Sequence, residues 1–134
     1  MIRTFRIHEE NAAQEFGMAC QRLVPWAGQG EEPPFGAMAC FLSPGDRSAP
    51  DCHDQDEVMI TLGGRGTVDV GEESAAIDTG TVLVIPRNQT HVVHSSGDTG
   101  LSWVSFYWPL HEPENPQNPQ NPQNPQNPKN GDEA

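Results

Sequence analysis

From residue 35 onward the apolar positions fall in short runs, at 35–42, 57–62, 67–70, 81–85, 91–94 and 101–108, each ended by residues that favour turns. Gly63-Gly64, Gly71-Glu72, Gly80, Pro86-Arg87-Asn88 and Ser96-Gly97-Asp98 supply those breaks. No helical pattern of about ten residues or more separates the runs, so the repeated short strands predict an all-β domain, a sandwich or barrel. Ahead of residue 35 the pattern is mixed. A short helix is expected over 9–16, and 25–34 carries the Gly and Pro of a loop. Residues 1–34 therefore read as an irregular N-terminal extension packed on a barrel formed by 35–112.

Residues 113–134 follow a different rule. Asn115-Pro116-Gln117 is repeated three more times and ends in Asn127-Pro128-Lys129. A proline at every third position fixes φ and removes amide donors, which predicts a disordered, extended spacer or linker with no core of its own. This tail dilutes the hydrophobic content of the 134-residue chain to 34%, and nearly all the apolar residues lie before it. One folded domain is the expected count.

Charge narrows the partners. Seven Lys and Arg stand against 19 Asp and Glu, a net charge of −12, so the long-range field repels nucleic acid and anionic membrane surfaces. No run of about 18 apolar residues is present to span a bilayer, and residues 1–14 lack a secretory apolar core, so a cytoplasmic location is expected. The cysteines are Cys20, Cys40 and Cys52, an odd number with no CxxC, which fits reduced, buried thiols better than a disulfide framework or a zinc knuckle.

The chemistry concentrates between Pro50 and His94. Asp51, His53, Gln55 and Glu57 alternate with Cys52, Asp54 and Asp56. If this stretch is extended, the period of two puts Asp51, His53 and Glu57 on one face. His91 follows the Pro86-Arg87-Asn88 turn and would start a facing strand. Two imidazoles and carboxylates gathered inside a small barrel are costly to bury alone, and one divalent cation satisfies them together. The expected ligands are Asp51, His53, Glu57 and His91, with Glu57, if weakly ligated, also able to shuttle a proton as the catalytic residue. Asp54, Asp56 and Cys52 face the other way, and His94 has the wrong parity. Trp103, Phe106, Tyr107 and Trp108 read as core packing, with a substrate-pocket lining as the rival.

These residues resemble the cupin family, whose motifs are G(X)5HXH(X)3,4E(X)6G and G(X)5PXG(X)2H(X)3N. Gly45, Asp51, His53, Glu57 and Gly64 stand at the spacings of the first, and Gly80, Pro86, Asn88 and His91 at those of the second. The resemblance covers roughly residues 35–110 and implies a double-sheet jelly roll, or double-stranded β-helix. Three positions depart from it. Asp51 stands in place of the first histidine, Asn88 in place of a turn glycine, and Ser95 in place of the final asparagine. With Asp51 bound the site has two nitrogens and two carboxylates; with Asp51 turned away, His53, Glu57 and His91 form a facial triad. Zn, Fe, Mn and Ni all suit such a set, zinc or iron foremost.

The resemblance implies a metal-dependent enzyme acting on a small molecule in the biosynthesis of a specialised metabolite, or alternatively a noncatalytic metabolite-binding or sensor cupin. Arg3-Thr4-Phe5-Arg6, Phe16-Gly17-Met18 and the strand 101–108 are further similar to cupins found with methionyl-tRNA-synthetase-like domains. That likeness implies nitrogen–nitrogen bond formation by rearrangement of an activated hydroxylamine ester, with a synthetase-like partner reached through the tail. A homodimer through edge strands is the expected assembly.

Overall fold

Nine strands form in the structure, a computed structural model that describes residues 2–26 and 30–113. They are β1 (Ala13–Glu15), β2 (Met18–Val24), β3 (Gly36–Leu42), β4 (Asp56–Gly63), β5 (Arg65–Val70), β6 (Glu73–Asp78), β7 (Val82–Ile85), β8 (His91–Ser96) and β9 (Leu101–Trp108). One sheet has the order β1-β2-β3-β9-β4-β7 and the other β6-β5-β8, with every pairing antiparallel. The all-β domain expected from the spacing of the apolar runs, and the jelly roll that the resemblance implies, are the fold found. The expected spacer at 113–134 lies outside the described residues but for Pro113. Among the described residues no helix is long and apolar enough to cross a membrane.

Alternation explains which face of each strand is inside. In β4, Glu57, Met59 and Thr61 are buried while Val58, Ile60 and Leu62 are not. In β9, Leu101, Trp103 and Ser105 point inward at 1% exposure each. Their inward side chains meet Val68 of β5, Ile77 of β6, Ile85 of β7 and Val93 of β8 to make one core. At about 25 cal/mol per Å² of apolar surface, a buried side chain of this size contributes roughly 1.5–3 kcal/mol.

The N-terminal region departs from expectation. The helix predicted over 9–16 is only a three-residue 3-10 turn, Glu9–Asn11, after which Ala13–Glu15 already pairs with Met18–Cys20 as a strand. The charged stretch had no apolar stripe to hold a helix on the core, and the positive-φ pair Phe16-Gly17 turns it into a hairpin instead. Residues 13–24, assigned from sequence to the extension, thus supply two strands of the larger sheet. The chain before them lies outside it: Gln21 takes the His8 amide (3.0 Å) on its side-chain oxygen and donates to the Arg6 carbonyl (2.9 Å), which straps that segment down. β6 also escaped the sequence pattern, because as an edge strand it buries only Ile77.

Candidate metal site

The loop before β4 is not a regular strand, yet its burial still alternates, with His53, Gln55 and Glu57 all under 9% exposed. Two backbone contacts hold it. Asp51 and His91 exchange both hydrogen bonds (3.1 and 2.8 Å), so the start of β8 is pinned beside Asp51 and their side chains share a face. The Asn88 amide donates to the His53 carbonyl (2.9 Å), and Asn88 sits at φ 62°, a left-handed conformation that asparagine tolerates. The departure from glycine at 88 therefore leaves the turn intact. The alternation expected from sequence placed Asp51 and His53 correctly, but the pairing of Asp51 with His91 is a tertiary contact that parity does not encode.

Ligand atoms of Asp51, His53 and His91 all lie within 4.8 Å of one another. Glu57 closes the group from β4: its Oε1 is 3.0 Å from His53 Nε2 and 3.6 Å from His91 Nε2. Asp51 is thus not turned away from the site. Each imidazole is oriented by its other nitrogen. His53 Nδ1 faces the Gln55 carbonyl at 3.2 Å, and His91 Nδ1 the Gln89 carbonyl at 3.0 Å. A carbonyl only accepts, so both Nδ1 atoms carry hydrogen and both Nε2 atoms face Glu57 as donors or ligands.

Glu57 is held from behind. Ser105 of β9 donates its hydroxyl to Glu57 Oε2 (2.6 Å) and accepts from Trp103 Nε1 (3.1 Å). Burial by itself would raise the Glu57 carboxyl, but the His53 hydrogen bond, the two imidazoles and the Ser105 hydroxyl together bring it below the ordinary value. Burial likewise works to lower His53, and it is outweighed by Glu57, then Asp51 and Glu112, so that His53 is pushed up to about 9. Without a metal the pair is an imidazolium and a carboxylate. Replacing Ser105 by Ala should leave the fold intact and weaken metal binding by about 10- to 100-fold, the usual effect of removing a group that orients a ligand. Competition with a chromophoric chelator measures this, and unchanged affinity would show that Glu57 is positioned without Ser105.

The remaining expectations sort by face. Asp54 and Asp56 lie outside and face Arg87 at 3.6 and 3.2 Å. His94 is on the outer side of the smaller sheet, 2.8 Å from Asp69. Cys20 and Cys40 are buried free thiols and Cys52 is half-buried, none of them within the ligand cluster. Gln55 shares the inward parity but donates to the Pro109 and Leu110 carbonyls (2.9 and 3.1 Å), tying the chain after β9 to the site. Of the aromatic residues on β9, Trp103 and Tyr107 line the cavity, while Phe106 and Trp108 follow the outward parity and Trp108 is 40% exposed. Ser105 was missed from sequence, although a lone hydroxyl at an inward position of an apolar strand was the available signal.

Arg22 was missed as well, because 1–34 carried no motif. From β2 it enters the cavity beside Tyr107, whose ring lies where a side chain on Gly36 would be: a Cβ there would stand 2.4 Å from the ring. The cavity holds about 40 Å³ of space, enough for about three waters at 10–15 Å³ each.

The comparisons with known proteins agree with this fold. Residues 39–107 match the family described as the Cupin domain. Among solved structures, a Cupin 2 conserved barrel domain protein from Salinispora arenicola superposes with TM-score 0.71 at 22% identity, over 81% of this chain and 89% of that one. A Photorhabdus luminescens protein gives TM-score 0.72 at 22% identity, covering 81% and 88%. A double-stranded β-helix protein from Klebsiella pneumoniae gives 0.68 at 16% identity, covering 84% and 95%. At these identities the likeness is one of fold. No curated protein matches the chain in sequence.

Proposed function

From the premise that this chain belongs to the cupin family, we propose that it is a metal-dependent enzyme acting on a small molecule, with Asp51, His53, Glu57 and His91 as ligands. One observation carries the reading: two imidazoles, each fixed through Nδ1 to a backbone carbonyl, aim Nε2 at the buried Glu57 carboxylate, with Asp51 beside them, in a solvent-sized cavity. The donor set fits a divalent ion. Two nitrogens and up to two carboxylates, with no thiolate in the group, suit Zn, Fe, Mn or Ni, and zinc or iron is favoured.

Bound there, such an ion supplies Lewis acidity to an oxygen or nitrogen of the substrate. The protein's own residues orient and neutralise. Asp51 and Glu57 together match the double charge of the ion. Ser105 keeps one Glu57 oxygen engaged, so that the other is directed at the imidazoles and, if only weakly ligated, can pass a proton at the reacting face. Rearrangement of an activated hydroxylamine ester, with a synthetase-like partner, is supported by the resemblance of the segments 3–6, 16–18 and 101–108 alone. The cavity supports the metal and its proton carrier.

His91→Ala tests the reading. His91 donates its backbone to the bridge with Asp51 whatever its side chain, so the variant should stay folded while losing stoichiometric metal in elemental analysis. Full occupancy in folded His91→Ala protein would overturn the ligand assignment.

A further inference from the structure

Arg22 has no role in the metal cluster, yet it lines the same cavity, and among the described residues that line it Arg22 is the only Arg or Lys. We propose that Arg22, assisted by Tyr107, anchors a carboxylate, so that the site takes a small carboxylic acid whose other polar end faces His53, His91 and Asp51. This rests on the metal-dependent reading above for the far end of the ligand, and on Arg22 itself for the near end.

The placement follows from the register. Arg22 of β2 is paired with Met38 of β3, and Met38 with Ser105 of β9, so Arg22 lies in the inward row that contains the Glu57 support. Two strand spacings of about 4.8 Å put its backbone roughly 10 Å from that of Ser105. The long side chain reaches back across part of that gap. A ligand spanning from guanidinium to metal cluster is thus a molecule of a few carbons.

The guanidinium is ion-paired on one side and weakly partnered on the other. One nitrogen, Nη2, is 2.5 Å from Glu15. The other, Nη1, donates to Met38 Sδ (3.0 Å) and to the Tyr107 hydroxyl (3.3 Å). A thioether is a weak acceptor and a flexible side chain, so a carboxylate oxygen arriving there exchanges a poor partner for a strong one, and Met38 can move aside. The Arg22 side chain remains 32% exposed, so solvent and ligand reach it, whereas His53 and His91 behind it are at 7% and 8%. Glu15 neutralises the arginine while no ligand is present.

Charge selects carboxylate over phosphate. The chain carries −12, and Asp51, Glu57 and Glu15 all surround the path, so a second negative charge on the ligand is repelled where a single one is matched by Arg22. Tyr107 adds a hydroxyl beside Nη1, able to donate to the same oxygen.

The experiment uses the full chain, loaded with zinc and metal-free, titrated calorimetrically with glycolate, lactate, 3-hydroxypropionate and inorganic phosphate. Arg22→Gln should weaken the best hydroxy acid by at least about tenfold while leaving zinc affinity within about twofold. Arg22→Lys should recover only part of it, since a point charge does not reproduce the fork. Glu15→Gln should tighten it, by freeing Nη2. Equal hydroxy-acid affinity in the wild type, Arg22→Gln and Glu15→Gln would overturn the anchor, as would a preference for phosphate. If the wild type takes up no zinc, the metal reading fails separately. The anchor is then decided by acetate added to metal-free protein, which should shift the Arg22 Nε–H resonance to saturation. An unmoved resonance would overturn it there too.

Discussion

Stripped of metal, the protein should lose about 3 kcal/mol of stability as the pH is raised from 6.5 to 9, and regain it when zinc is added. His53 has an ordinary value of 6.5 and stands at about 9 in the folded protein, chiefly because Glu57 and the neighbouring carboxylates outweigh its burial. A group raised on folding stabilises fully below its unfolded value, and the contribution disappears as the pH passes through its folded one. At about 1.36 kcal/mol per decade, the difference between 6.5 and about 9 is roughly 3 kcal/mol. Glu57 is lowered from 4.5, so its share of the same interaction is present above 4.5 and lost on acidification. The metal-free protein is therefore most stable between about 4.5 and 6.5. Metal binding needs Nε2 of His53 deprotonated, so the zinc-loaded protein should instead gain stability over the alkaline range. Melting curves in chelator and in excess zinc check both slopes. A metal-free curve flat from pH 6.5 to 9 would show that His53 is not the imidazolium of the pair.

Glu57→Gln should give the largest functional loss, with metal affinity falling at least about 100-fold and the His53 titration dropping from about 9 toward or below its ordinary value. The amide keeps the shape and can still accept from Ser105, so packing around Met59 and Trp103 is preserved. What it removes is the charge. Burial, which lowers His53, is then opposed only by Asp51 and Glu112. Glutamine also offers a neutral oxygen to the ion where a carboxylate stood. Histidine resonances followed against pH give the first readout and a chelator competition the second. A His53 midpoint still near 9 in the variant would assign the shift to Asp51 instead, and would make Asp51 the principal carboxylate of the site.

The sequence by itself determined the strands that bury one clean face. β3, β4, β7, β8 and β9 begin within a residue of the apolar runs that predict them, because alternation and flanking turn residues are local properties. The same parity put His53 and Glu57 inside and Asp54 and His94 outside, and the motif spacing selected His91. Tertiary structure alone decided the rest. β2 mixes apolar residues with Gln21 and Arg22 and shows no clean alternation, and it became a strand because β3 offered an edge to pair with, which also carried Arg22 into the cavity. Asp51 reaches the cluster because its backbone pairs with His91, and Glu57 is ionised because Ser105 of β9 and His91 of β8 join His53 of its own leading loop around it. Which charged groups face one another depends on pairing between strands far apart in the chain, and local periodicity carries no information about that.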